Sequence, residues 1–223
     1  MEKVIVSWSS GKDSALALYE VMNNPEVQLV GLLTTINEDS SQVSMHHIDQ
    51  ALVEQQAASI GLPLEVIYFN PNDSYENYEI SMRDVLSRYQ HEGVTAVVSG
   101  DIFLEELRAR REQNLARIGL RAVFPLWDLD TQDLLAKFIH LGFKAVITSV
   151  DSELLDEVYL GKLIDSQFYK SLPKEVDPCG EQGEYHSFVF DGPIFQMPVQ
   201  YTMGEVKTHE DRYFYCDLIA NHK

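Results

Sequence analysis

The amino-acid sequence predicts an α/β protein: a doubly wound parallel sheet with a smaller α/β region at its C-terminal end. Three observations lead to this prediction. Short runs rich in Val, Ile and Leu alternate with longer amphipathic segments through the first half of the chain, as in a parallel sheet with crossover helices. Gly and Pro residues close several of these segments. A turn of small residues, 9–14, joins the first strand-like run to the first helix-like run.

The predicted elements follow one another in a regular order. The strands are expected at 4–8, 27–35, 64–69, 94–98 and 144–150, and the helices at 15–22, 48–60, 75–91, 103–118, 131–141 and 160–172. The pattern changes after residues 125–127, which places a domain boundary there. We therefore expect a first domain of residues 1–127 and a second of residues 128–223.

The bulk composition excludes several classes of function. A formal net charge of -18 opposes binding to nucleic acid or to an anionic membrane. No segment approaches the roughly 18 apolar residues of a membrane span, and the first apolar run is too short for a signal peptide. Cys179 and Cys216 form no closely spaced pair, so we expect a protein of the reducing cytoplasm. The oligomeric state stays open, with a homo-oligomer as one option.

The turn at residues 9–14 reads Ser-Ser-Gly-Lys-Asp-Ser. A strand that ends in such a turn and opens a helix aims backbone N–H groups and the helix dipole at one point, which favours a phosphate. In this site Lys12 would neutralise charge. Asp13 is interpreted as a magnesium ligand or a helix cap.

The small residues of the turn have separate expected roles. Ser9 and Ser14 carry hydroxyls that can donate to phosphate oxygens, and Gly11 permits close approach of the backbone. Ser10 fits this turn if its φ angle is negative.

Further polar residues follow the strand predicted at 94–98. Asp101 lies at the same edge of the predicted sheet as the turn, so it is a candidate to organise magnesium or a ribose, or else to cap the next helix. Arg108 and Arg110 could clamp a pyrophosphate. Their i,i+4 spacing to Glu112 and Glu106 is equally typical of a solvated helix face, and both interpretations stay open.

Two loops supply the remaining candidates. Residues 177–193 are rich in Gly, Glu and aromatic residues, and there Glu181 and Glu184 could hold a cation or move a proton. His186 is either a general base or a satisfied buried histidine. His46 lies after the second strand, within reach of a ligand, and no third residue at metal-like spacing supports zinc.

The turn at residues 9–14 resembles the PP-loop of ATP pyrophosphatases, which belong to the Rossmann-like adenine nucleotide alpha hydrolase superfamily. The usual second residue is Gly, where this chain has Ser10. Other segments narrow the resemblance to the diphthine–ammonia ligase family, whose usual Gly-Glu-Tyr-Glu-Thr differs here in having His186. These segments are residues 99–102, Glu105, Arg108, Arg110, Glu112, and residues 117–120, 125–127, 179–185, 188–189 and 191–193.

The resemblance implies an ATP-dependent amidation. An acceptor carboxylate attacks the α-phosphate to give an acyl-adenylate and pyrophosphate, and ammonia then displaces AMP. The implied cofactors are ATP and magnesium, and the implied acceptor is an elongation factor that carries diphthine. The alternative is a nucleotide-binding PP-loop protein with another acceptor, or a non-catalytic sensor of ATP or AMP.

The resemblance also implies roles for named residues. Catalysis is expected from Lys12, Asp13, Glu184 and His186; ATP binding from Ser9, Ser10, Gly11, Lys12, Asp13, Ser14, Asp101, Arg108 and Arg110; acceptor binding from His46, Gly180, Glu181, Gly183, Glu184 and Tyr185; and magnesium binding from Asp13 and Asp101.

Overall fold

The computed structural model describes residues 1–43, 48–70, 72, 75–209 and 212–221. The first sheet and its helices come from the first part of the chain. In order, the elements are β1 (Glu2–Ser7), α1 (Lys12–Met22), β2 (Val27–Asn37), β3 (Gln42–Val43), α2 (Gln50–Ile60), β4 (Leu64–Phe69), α3 (Tyr75–His91), β5 (Ala96–Val98), α4 (Glu105–Ala116) and β6 (Arg121–Val123).

The strands of this sheet lie in the order β4-β2-β1-β5-β6, and all of these neighbours are parallel. The short β3 adds an antiparallel pair at the end of β2. This is the doubly wound order: β2 and β4 lie on one side of β1, and β5 and β6 lie on the other. In such sheets ligands bind at the carboxyl ends of the strands, beside the point between β1 and β5 where the order switches. The predicted fold class is confirmed, and the turn after β1 and the residues after β5 both lie at the ligand edge.

The second sheet comes from the rest of the chain. Its elements are α5 (Thr131–His140), β7 (Lys144–Asp151), a 3-10 helix (Glu157–Tyr159), α6 (Ser166–Ser171), β8 (Tyr185–Asp191), β9 (Tyr201–His209) and β10 (Tyr213–Ala220). The order is β8-β7-β10-β9, antiparallel throughout.

The helix predicted at 160–172 is wrong in its first half. Gly161 donates its N–H to the Ile147 carbonyl at 2.9 Å, and Lys162 accepts from the Ile147 N–H at 3.0 Å. These bonds hold the segment in extended pairing along β7, so only α6 is helical.

One apolar core joins the two sheets. It includes Val6 and Leu18 from the first sheet and its helix, and Ile147 and Phe188 from the second. Because β8 is an edge strand of its own sheet, its outer side is free to meet the turn after β1. The packing therefore brings β8 against the turn at residues 9–14, which is called the phosphate turn below.

Among the described residues, no helix combines the length and apolar character needed to cross a membrane.

Candidate active site

The phosphate turn has an unusual backbone at Ser10. Its φ angle is +70°, so the negative φ that would fit a serine at this position without strain is not present. The side chain is fully buried. The Ser10 carbonyl accepts hydrogen bonds from the Val189 N–H at 3.0 Å and from Gln56 Nε2 at 3.1 Å. These two bonds explain how a non-glycine residue is held in the left-handed region, which is disfavoured by roughly 1 kcal/mol.

We expect Ser10→Gly to stabilise the protein by about 1 kcal/mol. Glycine adopts a positive φ without strain, and the substitution also removes a buried hydroxyl that has no hydrogen-bond partner within the described part of the chain. Urea unfolding of the two proteins measures the difference. Ser41→Gly is the matched control, since Ser41 also has a positive φ, 55°, but is exposed. A less stable Ser10→Gly protein would contradict the strain argument.

Lys12 faces the C-terminal part of the chain. The residue is 4% exposed, and its ammonium donates to the Cys179 carbonyl, pairs with Asp13 Oδ2 at 2.7 Å, and lies 5.1 Å from the centroid of the Tyr185 ring. Burial by itself lowers the pKa of Lys12, but Asp13, Tyr185 and Cys179 together more than offset this and the pKa is raised. Lys12 is therefore a permanently charged group at the junction of the two sheets.

Asp13 is held in the same junction. Burial raises the pKa of the Asp13 carboxyl against the opposing effect of Lys12, and the nearby carboxylates Asp177 and Asp101 raise it further. Several acidic side chains therefore share the region beside the phosphate turn, and like charges at short range raise the pKa of a carboxyl.

A cavity of about 600 Å³ opens beside the phosphate turn. Trp8, Ser9 and Thr34 line it from the strand ends, and residues of α3 and α4 line the opposite side. The Thr34 hydroxyl is buried with no hydrogen-bond partner among the described residues. A cavity of this size suits a nucleotide, and the residue with the orphan hydroxyl lines its wall.

The arginines of α4 divide between two environments. Arg110 and Arg111 line the cavity. Arg108 does not: its guanidinium lies 4.4 Å from the Trp127 ring centroid, and its Nε pairs with Glu112 at 2.7 Å. For Arg108 the geometry favours the helix-face interpretation, because its charge is already neutralised away from the phosphate turn.

Asp101 and Gly100 pack directly against the phosphate turn. Asp101 is 8% exposed and pairs with Arg111 Nε at 3.0 Å. A Cβ on Gly100 would lie 2.7 Å from the Asp13 carbonyl carbon and oxygen and 2.9 Å from the Ser14 nitrogen. Only glycine therefore lets the segment after β5 touch the first turn of α1.

The loop before β8 is organised by Glu184. This side chain is buried, and its two oxygens accept the N–H groups of Asp177 at 3.0 Å and Gln182 at 2.9 Å. Both carboxylate oxygens are used by backbone of the same loop. These contacts favour a positioning role over the predicted catalytic one, since a carboxylate that moves a proton needs an oxygen free to reach it.

Gly180 and Tyr185 close the same loop. The Tyr185 hydroxyl donates to the Pro178 carbonyl at 2.6 Å. Gly180 has a φ of +64°, and a Cβ there would lie 2.8 Å from the Tyr185 ring. Gly183 has a φ of +91° with nothing within 4 Å of its Cβ position. Of the residues predicted here to bind the acceptor, Tyr185 contacts the Lys12 ammonium, and Gly180 packs against the Tyr185 ring.

Glu181 connects this loop to the first sheet. Its Oε1 accepts the Ile102 N–H at 2.8 Å. Burial raises the pKa of Glu181 to about 7, helped by Asp13 and Asp101 and opposed by the Ile102 hydrogen bond and by Lys12. This carboxyl therefore changes its charge near neutral pH, which is the property required of a group that exchanges a proton there.

The raised pKa predicts a pH-dependent stability difference. Between about 4.5 and about 7 the folded protein holds a proton on Glu181 that the unfolded chain has lost. The contribution of Glu181 to stability is therefore greatest below about pH 4.5, falls as the pH rises from there to about 7, and changes little at higher pH. We expect Glu181→Gln to match the wild type at about pH 4 and to be more stable by about 1–3 kcal/mol at pH 8, measured by urea unfolding. Glu175→Gln, at an exposed position of the same segment, controls for loss of one negative charge. An equal effect of Glu181→Gln at both pH values would contradict this prediction.

Comparisons with known proteins identify the family of this chain. The family model described as the diphthamide synthase N-terminal domain matches residues 2–122, and the model described as the C-terminal domain matches residues 130–221. The chain belongs to the diphthamide synthase family. The family expected from the motifs is thereby confirmed.

Curated relatives carry the name diphthine–ammonia ligase. The Schizosaccharomyces pombe protein is 29% identical over 93% of this chain, the mouse protein 27% over 90%, and the Danio rerio protein 27% over 95%. The chain spans only 37% of the fission yeast relative, but 83% of the mouse and 91% of the Danio rerio protein.

A solved structure described as a predicted subunit of tRNA methyltransferase from Methanocaldococcus jannaschii is also similar. It is 16% identical, has a TM-score of 0.43, and the match covers 62% of this chain and 74% of that one. The fold of this diphthamide synthase family member follows from its own sheet topology and not from that likeness.

In this family member His186 lies on β8 between two residues that contact Lys12. Tyr185 and Ser187 alternate with it along β8, and both reach Lys12: the Tyr185 ring lies over the ammonium and Ser187 Oγ accepts the Lys12 N–H at 3.3 Å. Successive side chains of a strand point to opposite faces. Strand alternation therefore assigns the His186 side chain to the other face of β8, and its catalytic role stays a prediction. His46 lies outside the described residues.

Two residues near the site were missed by sequence reasoning, Gln56 and Ser187. Gln56 is a polar residue on the apolar side of its helix, and Ser187 is two positions after Tyr185, hence on the same face. Those two signals were readable. Among the described residues no group of three or more metal-ligating side chains is close enough to hold a metal ion by itself.

Proposed function

We propose that this protein is an ATP-dependent ligase that adenylates an acceptor carboxylate, releases pyrophosphate, and amidates the acceptor with ammonia. The observation that carries the proposal is the meeting of two family segments at Lys12: the phosphate turn and the loop 177–184 share its ammonium beside a cavity of about 600 Å³. Membership of the diphthamide synthase family and the names of its relatives support it.

The first step is attack of an acceptor carboxylate oxygen on the α-phosphorus. The bond to the β-phosphate bridging oxygen breaks, and pyrophosphate leaves. The first turn of α1 and its dipole favour the phosphates, Ser9 donates from the cavity wall, and Arg110 and Arg111 face the same space. Charge stabilisation of this kind is the main contribution such a site makes.

The second step is attack of ammonia on the acyl carbon. AMP leaves with the former carboxylate oxygen, and the attacking nitrogen gives up a proton. In this proposal Glu181 accepts that proton, since its pKa of about 7 suits a base at neutral pH. Glu184 holds the loop that carries Glu181 in place.

Magnesium is part of the proposal. Asp13 and Asp101 are the residues that would hold it. The Asp101 Oδ2 atom is buried and accepts no hydrogen bond within the described residues, and Arg111 Nε lies 3.0 Å from it as an ion-pair partner. Two carboxylates with phosphate oxygens and water fit the oxygen coordination of this ion. When bound, magnesium neutralises phosphate charge.

The proposed acceptor is diphthine on an elongation factor, because the relatives are named for that substrate. A cytoplasmic location belongs to the proposal as well. Cys179 and Cys216 are free and buried, as expected of a chain that works in a reducing compartment. The proposal makes no choice between a monomer and a homo-oligomer.

The test uses purified protein, ATP, magnesium, ammonium chloride and an elongation factor isolated with diphthine. We expect one AMP and one pyrophosphate to form for each acceptor that is amidated. The acceptor mass should change by replacement of a hydroxyl with an amino group. Tight ATP binding without AMP formation would overturn the ligase proposal in favour of a nucleotide sensor.

A further inference from the structure

One buried side chain, Gln56, touches all three parts of the candidate site. It is 0% exposed. Its Oε1 accepts the indole N–H of Trp8, which lines the cavity, at 2.8 Å. Its Nε2 donates to the Ser10 carbonyl in the phosphate turn at 3.1 Å and to the Val189 carbonyl in β8 at 2.6 Å. A single amide therefore joins the cavity wall, the phosphate turn and the second sheet.

The chemistry of the three partners requires a primary amide at this position. An indole nitrogen only donates, and backbone carbonyls only accept. The carboxamide supplies one acceptor and two donors, and all of them are used. A carboxylate would face two carbonyl oxygens without a proton to offer. An apolar side chain would remove the hydrogen-bond partner of the Trp8 indole N–H and one hydrogen bond from each of the Ser10 and Val189 carbonyls, and a buried polar group left unpaired costs about 1–3 kcal/mol.

Strand β8 is tied to the phosphate turn at two points. At one end, the Val189 N–H donates to the Ser10 carbonyl, and the Val189 carbonyl accepts from Gln56 Nε2. At the other, Ser187 Oγ accepts the Lys12 N–H and Tyr185 covers the Lys12 ammonium. A shift of the turn on nucleotide binding therefore acts on β8 directly, and β8 carries the loop 177–184 at its start.

We propose that Gln56 is a positioning residue that couples nucleotide binding in the phosphate turn to the placement of β8 and of the loop 177–184, called the acceptor loop below. This inference rests on the proposed function for the nature of the nucleotide. Gln56 touches no reacting atom in this account. It acts through Ser10, whose strained backbone persists because the carbonyl is held by Gln56 and Val189.

The experiment measures amide hydrogen exchange in β8 with and without α,β-methylene-ATP, which cannot be cleaved between its α and β phosphates. In the wild type we expect the analogue to slow exchange in residues 12–16 and also in residues 185–191, the latter by about fivefold or more. In Gln56→Met we expect the first effect to remain and the second to be lost. Gln55→Met, at the neighbouring half-buried position of α2, should behave like the wild type.

A second variant keeps the test decisive if Gln56→Met does not fold. Gln56→Asn retains an amide but is one methylene shorter, so it cannot reach all three partners, and we expect the same loss of coupling. Unchanged exchange in residues 185–191 of nucleotide-bound wild type would overturn the inference, as would wild-type coupling in either folded variant. Failure of the wild type to bind the analogue at all would instead count against the proposed function.

Discussion

Lys12→Ala is expected to lower acceptor-dependent pyrophosphate release by about 100-fold or more, while the affinity for ATP falls far less. The reason lies in the direction of the side chain. The Lys12 ammonium binds the Cys179 carbonyl, Asp13 and the Tyr185 ring, so its removal leaves a buried carboxylate and a carbonyl without their cation. The acceptor loop, which holds the Cys179 carbonyl against the ammonium, should then no longer be fixed against the phosphate turn. Pyrophosphate assays and calorimetric titration with ATP measure the two effects separately.

Lys137→Ala is the matched control for this prediction. Lys137 also pairs with a carboxylate, Glu20 at 2.7 Å, but on an open surface of α5, where such a pair contributes at most about 1 kcal/mol. The turnover of the Lys137→Ala protein should equal that of the wild type. A Lys12→Ala protein that binds ATP far more weakly and keeps its turnover at saturation would show that Lys12 is a phosphate ligand instead.

The first sheet was predictable because its signals are local. Each of β1, β2, β4 and β5 is a short apolar run beside a helix whose polar and apolar positions alternate with helical period. Two of the strands that sequence reasoning missed, β6 and β9, lack this signal. β6 has only 3 residues, and β9 is exposed along most of its length, so no buried face marks either one in the sequence.

The phosphate turn was predictable for the same reason, since strand, turn and helix are consecutive in the chain. The direction of Lys12 was not. Its partners Cys179 and Tyr185 lie more than 160 positions away, and only the packing of β8 against the turn brings them together. The positive φ of Ser10 also depends on that packing, through the bonds from Val189 and Gln56.

Arg108 and His186 show the limit of motif reasoning. Both belong to segments that match the family, yet Arg108 stacks on Trp127 and His186 alternates with the residues that face Lys12. A motif identifies a segment. Which of its side chains faces the ligand depends on strand alternation and helix rotation.

Gly100→Ala is expected to destabilise the protein by about 3 kcal/mol and to abolish pyrophosphate release. The added Cβ would lie 2.7 Å from the Asp13 carbonyl and 2.9 Å from the Ser14 nitrogen. These atoms are backbone of the phosphate turn and the first turn of α1, so no side-chain rotation relieves the overlap. Either α1 moves away from β5 or the turn changes shape, and the phosphate site is altered in both cases. Urea unfolding and the pyrophosphate assay measure these effects.

Gly142→Ala separates this overlap from the general cost of replacing a glycine. Gly142 has a φ of +83° with nothing within 4 Å of its Cβ position, so alanine there should cost about 1 kcal/mol through backbone strain alone and leave turnover unchanged. Gly100 carries no such strain, so any excess cost at Gly100 comes from the contact with the turn. Equal costs at the two positions, with turnover retained in Gly100→Ala, would mean that the segment after β5 can withdraw from the phosphate turn without consequence. The close contact between Gly100 and the phosphate turn would then not be required for the reaction.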